Sequence, residues 1–235
     1  MAGPVVAGAV LLPDAVEAVA EFSGLTDSKQ LTGKERLRFE ELIKRKAVAW
    51  SLGFVWPDEI DRSDILRATF LAMSMAFASM MAKGLAKKRA ALERGLPEQV
   101  LPPIPAQLIL IDGNQTLPTG VLQAALKRWG LGGEHIFPQQ TVVKGDSKVL
   151  AIAAASVLAK VGRDRLMQQL DRKYPEFGFA RHKGYGTKEH FEAIKKYGVT
   201  RMHRQSFQGC RSEDTEADGK PGKAGAGTQS LLLPS

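Results

Sequence analysis

The segment from Lys144 to Leu166 constrains the fold more than any other part of the chain. A carboxylate, Asp146, precedes a predicted helix whose body is almost entirely small or apolar, with three consecutive alanines at 153–155. We expect a helix so poor in bulky side chains to pack closely against another element, because protein interiors are densely filled. One carboxylate among cations on a rigid helix suits a metal ion and a phosphate backbone. The cations that border the apolar stripe are Lys144, Lys148, Lys160 and Arg163.

Composition narrows the class of protein and of partner. The 235 residues, 44% of them hydrophobic, suffice for one globular domain with a core. The formal net charge of +8 favours a polyanionic partner, although many soluble proteins are basic. The one cysteine, Cys210, cannot form an internal disulfide, so we expect a reducing, cytoplasmic location. The apolar run at 69–82 is shorter than the ~20 residues of a membrane span, so no membrane association is expected.

Hydrophobic periodicity and turn residues predict an α/β layer fold with a mixed sheet. Strands are predicted at residues 5–12, 47–55, 108–111 and 136–143. Helices are predicted from the capping pair Thr32 and Glu35 to Lys46, along the apolar stripe 66–80, and over 121–129, 147–174 and 187–197. We assign residues 1–210 to one domain with a surface insertion or loop at about 83–106, and residues 211–235 to a disordered tail.

Two aspartates are candidates either for metal ligation or for purely structural roles. Asp112 ends a predicted strand, where ligands bind in α/β sheets. Asp-Gly is also a common turn pair, and Asp146 could serve as the N-cap or as a first-turn acid of the helix that follows. Together the two carboxylates would suit Mg²⁺ or Mn²⁺, because these hard cations prefer oxygen ligands. A site for two ions about 4 Å apart needs a third or fourth acid.

The loop Arg181–Thr187 is basic and glycine-rich, and it carries one aromatic residue. Gly184 and Gly186 would let the backbone approach a phosphate closely, beside Lys183. Tyr185 could stack on a base or a sugar. A glycine-rich turn with a half-buried tyrosine explains the same pattern. Because the four histidines lack zinc-like spacing and no cysteine pair exists, we expect no structural zinc.

Several short motifs, taken together and in their order over residues 2–208, resemble those of the ribonuclease HII family. Each motif alone is weak, but the ordered set is specific. They are Ala2-Gly3-Pro4-Val5-Val6, Asp27-Ser28-Lys29, Glu59-Ile60-Asp61, Ile65-Leu66-Arg67-Ala68-Thr69, Ile111-Asp112-Gly113-Asn114, Val143-Lys144-Gly145-Asp146-Ser147-Lys148, Ala153-Ala154-Ala155-Ser156-Val157-Leu158-Ala159-Lys160, Arg163-Asp164, His182-Lys183-Gly184-Tyr185-Gly186-Thr187 and His203-Arg204-Gln205-Ser206-Phe207.

The resemblance implies a ribonuclease H-like fold, with a mixed central sheet flanked by helices, in a monomer. It implies metal-dependent endonucleolytic cleavage of the RNA strand of RNA–DNA hybrids, and of single ribonucleotides embedded in duplex DNA. Water would attack phosphorus and leave 3′-hydroxyl and 5′-phosphate ends. Asp112 and Asp146 match two of the family's four active-site acids, which hold two Mn²⁺ or Mg²⁺ ions. Tyr185 matches the tyrosine that stacks at the RNA–DNA junction. The phosphate contacts expected are Lys144, Lys148, Lys160, Arg163 and Lys183.

The family's other two acids belong to an Asp-Glu-Ala-Gly-Arg-Gly motif, which also reads the 2′-hydroxyl and directly precedes Ala-Gly-Pro-Val. This chain begins Met1-Ala2-Gly3-Pro4, without that motif and the first strand. That strand is expected in the middle of the sheet, between the strands at 5–12 and 108–111. Either Met1 is an internal methionine taken as the start, or the gene product is truncated and inactive. We expect the chain as it stands to be inactive and poorly folded.

The alternative to an enzyme is a truncated, catalytically inactive family member that only binds nucleic acid. Such a protein would rely on cations and aromatics alone, so hydrolysis that requires a divalent metal would distinguish the enzyme. The tail ends with an apolar peptide at 229–233, which could dock on a partner such as a replication clamp. An end without any role explains that peptide better.

Overall fold

Strands and helices alternate in the computed structural model, which describes residues 1–13, 20–97, 108–132 and 137–211. The strands are β1 (Val5–Leu11), β2 (Ala49–Val55), β3 (Ile109–Asp112) and β4 (Gln139–Val142). The helices are α1 (Gly33–Lys46), α2 (Pro57–Arg62), α3 (Ile65–Glu93), α4 (Thr119–Arg128), α5 (Leu150–Lys173), α6 (Phe179–His182) and α7 (Lys188–Tyr197). Short 3₁₀ turns at Gly145–Ser147 and Pro175–Phe177 flank α5. The predicted mixed α/β class is confirmed.

The four strands of the described residues form two separate pairs. β1 runs antiparallel to β2, with Val5 opposite Val55, and β3 runs parallel to β4, with Asp112 opposite Val142. One cleft of about 590 Å³ is lined by consecutive residues of both β1 and β3. Because successive side chains of a strand point to opposite faces, lining by consecutive residues means that the cleft meets the strand edges. It coincides with the position predicted for a further strand.

The small residues of α5 are explained by its packing on β1. A Cβ atom added to Gly8 of β1 would overlap the carbonyl oxygen of Ala155, and Ala153 and Ala154 are buried. The expectation of close packing is therefore confirmed. On β2, a Cβ atom at Gly53 would overlap the carbonyl oxygen of Ala72 in α3. The paired strands β1 and β2 are thus held between two helices at backbone-to-backbone distance.

Local signals placed α1 correctly and misplaced parts of three other elements. The side chain of Thr32 accepts from the Glu35 N–H, and the Glu35 carboxylate accepts from the Thr32 N–H at 2.7 Å, which is the predicted capping box. The predicted insertion or loop from about residue 83 is helical in its first part, because α3 continues through residues 83–93. That segment is charged, but it consists mostly of alanine, leucine, lysine and arginine, which favour helices.

Two predicted boundaries also differ. α5 begins at Leu150 rather than 147, because residues 145–147 form a 3₁₀ turn and Val149 has extended backbone. β4 spans four residues, and position 136 of the predicted strand lies outside the described residues. The rest of the predicted loop at 98–106, and the predicted tail at 212–235, lie outside them as well.

The apolar stripe of α3 is only partly buried. Phe77 and Met80 belong to the core, Met73 lines the cleft, and Leu66 is 45% exposed near the start of the helix. At 29 residues, α3 is long and apolar enough to cross a membrane, so the length argument against a span was wrong. Half of its most apolar window is buried inside the protein, where it packs on β1, β2 and α4, as is typical of a core helix.

Gly53→Ala tests the close approach of β2 to α3. We expect it to destabilise the fold by about 1–3 kcal/mol, because the added methyl group meets backbone that cannot move aside. The thermal midpoint should fall by roughly 3–10 °C in a melting experiment followed by circular dichroism. The matched control is Gly120→Ala in α4, where a Cβ atom meets nothing within 4 Å and alanine favours the helix. Equal midpoints for the two variants would contradict the packing described.

Candidate active site

The end of β3 and the turn before α5 are joined by one hydrogen bond. The backbone N–H of Gly145 donates to Asp112 Oδ1 at 2.8 Å. Gly145 is buried, and a Cβ atom there would lie 2.6 Å from Ile152 Cδ1 and 3.4 Å from that same Oδ1. The preceding Lys144 has a φ of 55°, in the left-handed region, which turns the chain sharply into the 3₁₀ turn. The turn that carries Asp146 is therefore fixed against the carboxylate of Asp112.

These contacts test whether Asp112 and Asp146 have the purely structural roles of a turn residue and a helix cap. α5 has Val149 as its N-cap, without a side-chain hydrogen bond, so the interpretation of Asp146 as a helix cap is wrong. The partner of Asp112 is Gly145, 33 residues away, rather than its own turn. Asp146 is a first-turn acid of the short 3₁₀ turn rather than of α5, and Asp112 accepts from outside its own turn.

A third carboxylate, Asp27, lies beside Asp146. Burial raises the pKa of Asp146, and the negative charges of Asp112 and Asp27 raise it further, against the opposing charge of Lys29. A hydrogen bond with Asp27 also favours the protonated form of Asp146. In the sequence, Asp27 stands out only as part of a motif and not as a site residue. The available signal was its place in Asp27-Ser28-Lys29, the acid-bearing motif nearest the chain start.

The loop that carries Asp27 is anchored to α5 and α1. The hydroxyl groups of Ser28 and Ser156 are hydrogen-bonded at 2.9 Å, and Ser156 belongs to the small-residue face of α5. Arg36 of α1 donates to the carbonyl oxygen of Ser28 at 2.9 Å. Because the loop is hydrogen-bonded to both α5 and α1, the fold itself holds Asp27 beside Asp146.

The carboxylates of the candidate site are the right type of ligand for a hard divalent cation, but too few of them converge in the described part of the chain to hold one. Carboxylate oxygens are the ligands that Mg²⁺ and Mn²⁺ prefer. Within residues 1–13, 20–97, 108–132 and 137–211, however, no three histidine, cysteine, aspartate or glutamate groups converge closely enough to hold an ion together. Asp112 and Asp146 would hold one cation in part, with further ligands needed from elsewhere.

The predicted phosphate contacts are placed around α5, and most of them already have protein partners. Lys148 Nζ donates to the carbonyl oxygen of Val143 at 2.8 Å, and Lys160 forms an ion pair with Asp164 at 2.7 Å. Lys183 Nζ donates to the carbonyl oxygen of Ala180, while Lys144 is an exposed residue of the turn. Their contact with nucleic acid stays a prediction, and most of these cations would exchange a protein partner for phosphate.

Arg163 has a structural role that the sequence did not indicate. Its guanidinium donates to the carbonyl oxygens of Ala2, Pro4 and Lys183, the last at 2.8 Å, and burial lowers its pKa. It also lies 5.3 Å from the ring centroid of Tyr185, in cation–π geometry. Arg163 thus connects the start of the chain to the glycine-rich loop.

Tyr185 projects from that loop into solvent. Its side chain is 60% exposed, so the interpretation as a half-buried turn tyrosine is wrong. Gly184 has a φ of +74°, and a Cβ atom there would overlap the carbonyl oxygen of Ala2. The packing of the chain start against the loop therefore requires a glycine at this position, independently of any contact with a ligand.

Asp146→Asn should stabilise the protein. A raised carboxyl pKa means that the folded state binds a proton more readily than the unfolded chain, so ionisation at neutral pH costs stability. At pH 7 without divalent cations, we expect the variant to melt about 1–3 °C above the wild type. The difference should shrink as the pH falls through the raised pKa, and vanish below the ordinary value of 3.8.

The control for that measurement is Asp164→Asn, which removes a carboxylate paired with Lys160 and should bring no gain at pH 7. A lower midpoint for Asp146→Asn than for the wild type at pH 7 would contradict mutual repulsion among the three carboxylates.

The comparisons with known proteins agree on one family. The family model for ribonuclease HII matches residues 1–210. A ribonuclease HII of Oleidesulfovibrio alaskensis is 49% identical over 212 residues, covering 88% of this chain and 74% of that protein. A ribonuclease HII of Nitratidesulfovibrio vulgaris is 44% identical over 211 residues, covering 90% of this chain and 82% of that protein.

Solved structures agree in fold. The crystal structure of the ribonuclease H2 from Pyrococcus horikoshii OT3 is similar with a TM-score of 0.63 at 24% identity, over 91% of this chain and 90% of that one. The Bst-RNase HIII in complex with Mn²⁺ is similar with a TM-score of 0.54 at 17% identity, over 92% of this chain and 65% of that one. With its ribonuclease H-like fold and its match over residues 1–210, the chain belongs to the ribonuclease HII family of endoribonucleases.

Proposed function

We propose that the protein is a metal-dependent endonuclease that cleaves the RNA strand of RNA–DNA hybrids and single ribonucleotides embedded in duplex DNA. The observation that carries the proposal is the hydrogen bond from Gly145 to Asp112, which brings Asp146 beside Asp112. Membership of the ribonuclease HII family supports the hybrid substrate. The net charge of +8 supports a polyanionic one.

Asp112 and Asp146 are the residues that would hold a divalent cation. Such an ion, when bound, would supply an activated water and stabilise charge on the phosphate, giving 3′-hydroxyl and 5′-phosphate ends. The chain's own contribution is orientation: Gly145 fixes one oxygen of Asp112, and the 3₁₀ turn fixes Asp146. Burial raises the pKa of Asp146, and repulsion from Asp112 and Asp27 raises it further; a bound cation would relieve that repulsion. The Mn²⁺ complex of a structurally similar RNase HIII supports a divalent ion without deciding between Mn²⁺ and Mg²⁺.

Tyr185 would contribute a stacking surface for the substrate. Its exposed ring is backed by the guanidinium of Arg163, so one face can meet a base or a sugar while the other is supported. Stacking of a base on an aromatic ring contributes about 1–3 kcal/mol. The cations around α5 would add contacts to phosphate that weaken as salt rises.

A catalytically inactive family member that only binds nucleic acid is the second candidate. It is favoured by one observation: among the described residues, no three potential ligands converge on one ion. A binding protein needs neither Asp112 nor Asp146 to be ionised. Dependence of hydrolysis on these carboxylates and on a divalent metal separates the two functions.

Asp112→Asn tests the enzyme directly, in a version of the protein extended upstream by a strand and an Asp-Glu pair. The amide oxygen of asparagine can still accept from Gly145, so the turn should keep its place. We expect cleavage of a labelled hybrid in Mn²⁺ or Mg²⁺ to be abolished, because charge stabilisation is lost, while hybrid affinity stays within about tenfold. The activity control is unsubstituted extended protein in EDTA. A variant retaining more than roughly a tenth of the rate would show that Asp112 is not a metal ligand.

A clamp-type partner for the tail is a further part of the proposal. The peptide at 229–233 lies outside the described residues. The PCNA:RNase HII complex from Archaeoglobus fulgidus contains a chain similar in fold, with a TM-score of 0.50 at 16% identity over 88% of this chain. Monomeric state, cytoplasmic location and lack of membrane association stay predictions.

A further inference from the structure

Three histidines form a buried cluster behind the loop of Tyr185. His190 and His203 are almost fully buried, His182 is nearly so, and the cluster packs against Phe177 and Phe179. The rings of His182 and His190 stack with centroids 4.5 Å apart. The spacing of the histidines in the sequence indicates no role for this cluster. The proposed function uses none of them.

The hydrogen bonds of this cluster allow one assignment of protons. The backbone N–H of Thr200 donates to Nδ1 of His203 at 2.9 Å, so a neutral His203 carries its proton on Nε2. That Nε2 lies 3.1 Å from Nε2 of His190, which must accept. The proton of His190 is then on Nδ1, which donates to the carbonyl oxygen of Tyr185 at 2.8 Å. A directional relay thus runs from Thr200 through two histidines to the backbone of Tyr185.

The third histidine holds the same loop from its other side. Gly184 N–H donates to His182 Nδ1 at 3.2 Å, so Nε2–H of His182 donates to the carbonyl oxygen of Phe177 at 2.7 Å. The N–H of Tyr185 donates to the carbonyl oxygen of His182 at 2.9 Å. Both backbone polar groups of Tyr185 are therefore bonded to histidines, while its ring is exposed.

The relay requires neutral rings, and the surroundings keep them so. Burial lowers the pKa of His190 to about 4, against the opposing effect of its bond to Tyr185. Burial, and then the proximity of His190, lower the pKa of His203 to about 3. A second proton on either ring would place two donors face to face at Nε2 of His190 or at Nδ1 of His203.

We propose that His203 and His190 are positioning residues: through this relay they fix the backbone of Tyr185, so that its exposed ring is held ready for a nucleic-acid base or sugar. The inference rests on the proposed function for the contact of Tyr185, and goes beyond it by assigning what orients that contact. An aromatic ring on a fixed backbone loses less conformational entropy on binding than one on a mobile loop, so affinity depends on the relay.

The first measurement needs no nucleic acid. Long-range ¹H–¹⁵N NMR correlation of the histidine rings should show the Nε2–H form of His203 and the Nδ1–H form of His190 between pH 6 and 8, a range well above both pKa values. The opposite form of either ring, or a charged ring in that range, would overturn the relay.

The second measurement is a double-mutant cycle on affinity for a labelled duplex with one embedded ribonucleotide, followed by fluorescence anisotropy in EDTA. Tyr185→Ala should weaken binding by roughly 5–150-fold, and Tyr185→Phe should be milder. His203→Leu should weaken it by about 3–10-fold, and His203→Gln, whose amide can still donate to His190, should recover most of that loss. In the Tyr185→Ala background, His203→Leu should have almost no further effect.

The matched control is Ile194→Val, in the same buried cluster as Phe177 and Phe179 but outside the relay. It should lower the thermal midpoint without changing affinity well below that midpoint. Equal losses from His203→Leu with and without Tyr185 would show a general structural role and overturn the inference alone. A Tyr185→Ala variant that binds like the wild type would instead overturn the proposed stacking contact, and with it the positioning role.

Discussion

The close packing of α5 on β1 is the constraint on which the rest of the structure depends. At Gly8 and Ala155 the two backbones approach so closely that no side chain fits between them. This contact fixes the position of α5 against β1. The 3₁₀ turn with Asp146 lies just before the first residue of α5. Ser156, on the second turn of the helix, anchors the loop of Asp27, and Arg163, near its middle, supports Tyr185. One rigid helix therefore aligns the acids with the aromatic contact.

The charges of the candidate active site lower the stability of the folded protein. Three carboxylates lie near one another, and burial, then the charges of Asp112 and Asp27, raise the pKa of Asp146 against the opposing charge of Lys29. Elsewhere the described acids are mostly satisfied: Glu40, for instance, is buried, and its pKa is lowered by Arg165 and Lys44 against the penalty of burial. Uncompensated charge confined to one place is typical of functional sites.

Sequence patterns correctly predicted the features that depend on residues close together in the chain. The capping box of α1 and the small face of α5 depend on residues near each other in sequence, and the structure has both as expected. The α/β class and the family followed from patterns spread over the whole chain. The length of α3 was missed because charge was taken as a sign of a loop, whereas alanine and lysine extend a helix.

What could not be predicted depends on contacts between distant segments. The proximity of Asp27 to Asp146 depends on a bond between two serines 128 positions apart. The bonds of Arg163 to the carbonyl oxygens of Ala2 and Pro4 span about 160 positions, and they turn an expected phosphate contact partly into a structural one. No periodicity or spacing reports such pairings, because they exist only once the elements have packed.

The first residues of the chain are joined to its late segments. Ala2 pairs with His203, its N–H donates to the carbonyl oxygen of Gly184, and Arg204 N–H donates to the carbonyl oxygen of Met1. These segments are about 200 residues apart in the sequence, and a ribosome synthesises some 5–20 residues per second. Roughly 10–40 s therefore pass between the synthesis of the first segment and that of its partners. During that interval the strand that follows it is exposed to chaperones and to other nascent chains. The loop of Tyr185 therefore completes its contacts late in synthesis, and a chain that ends before His203 cannot complete them.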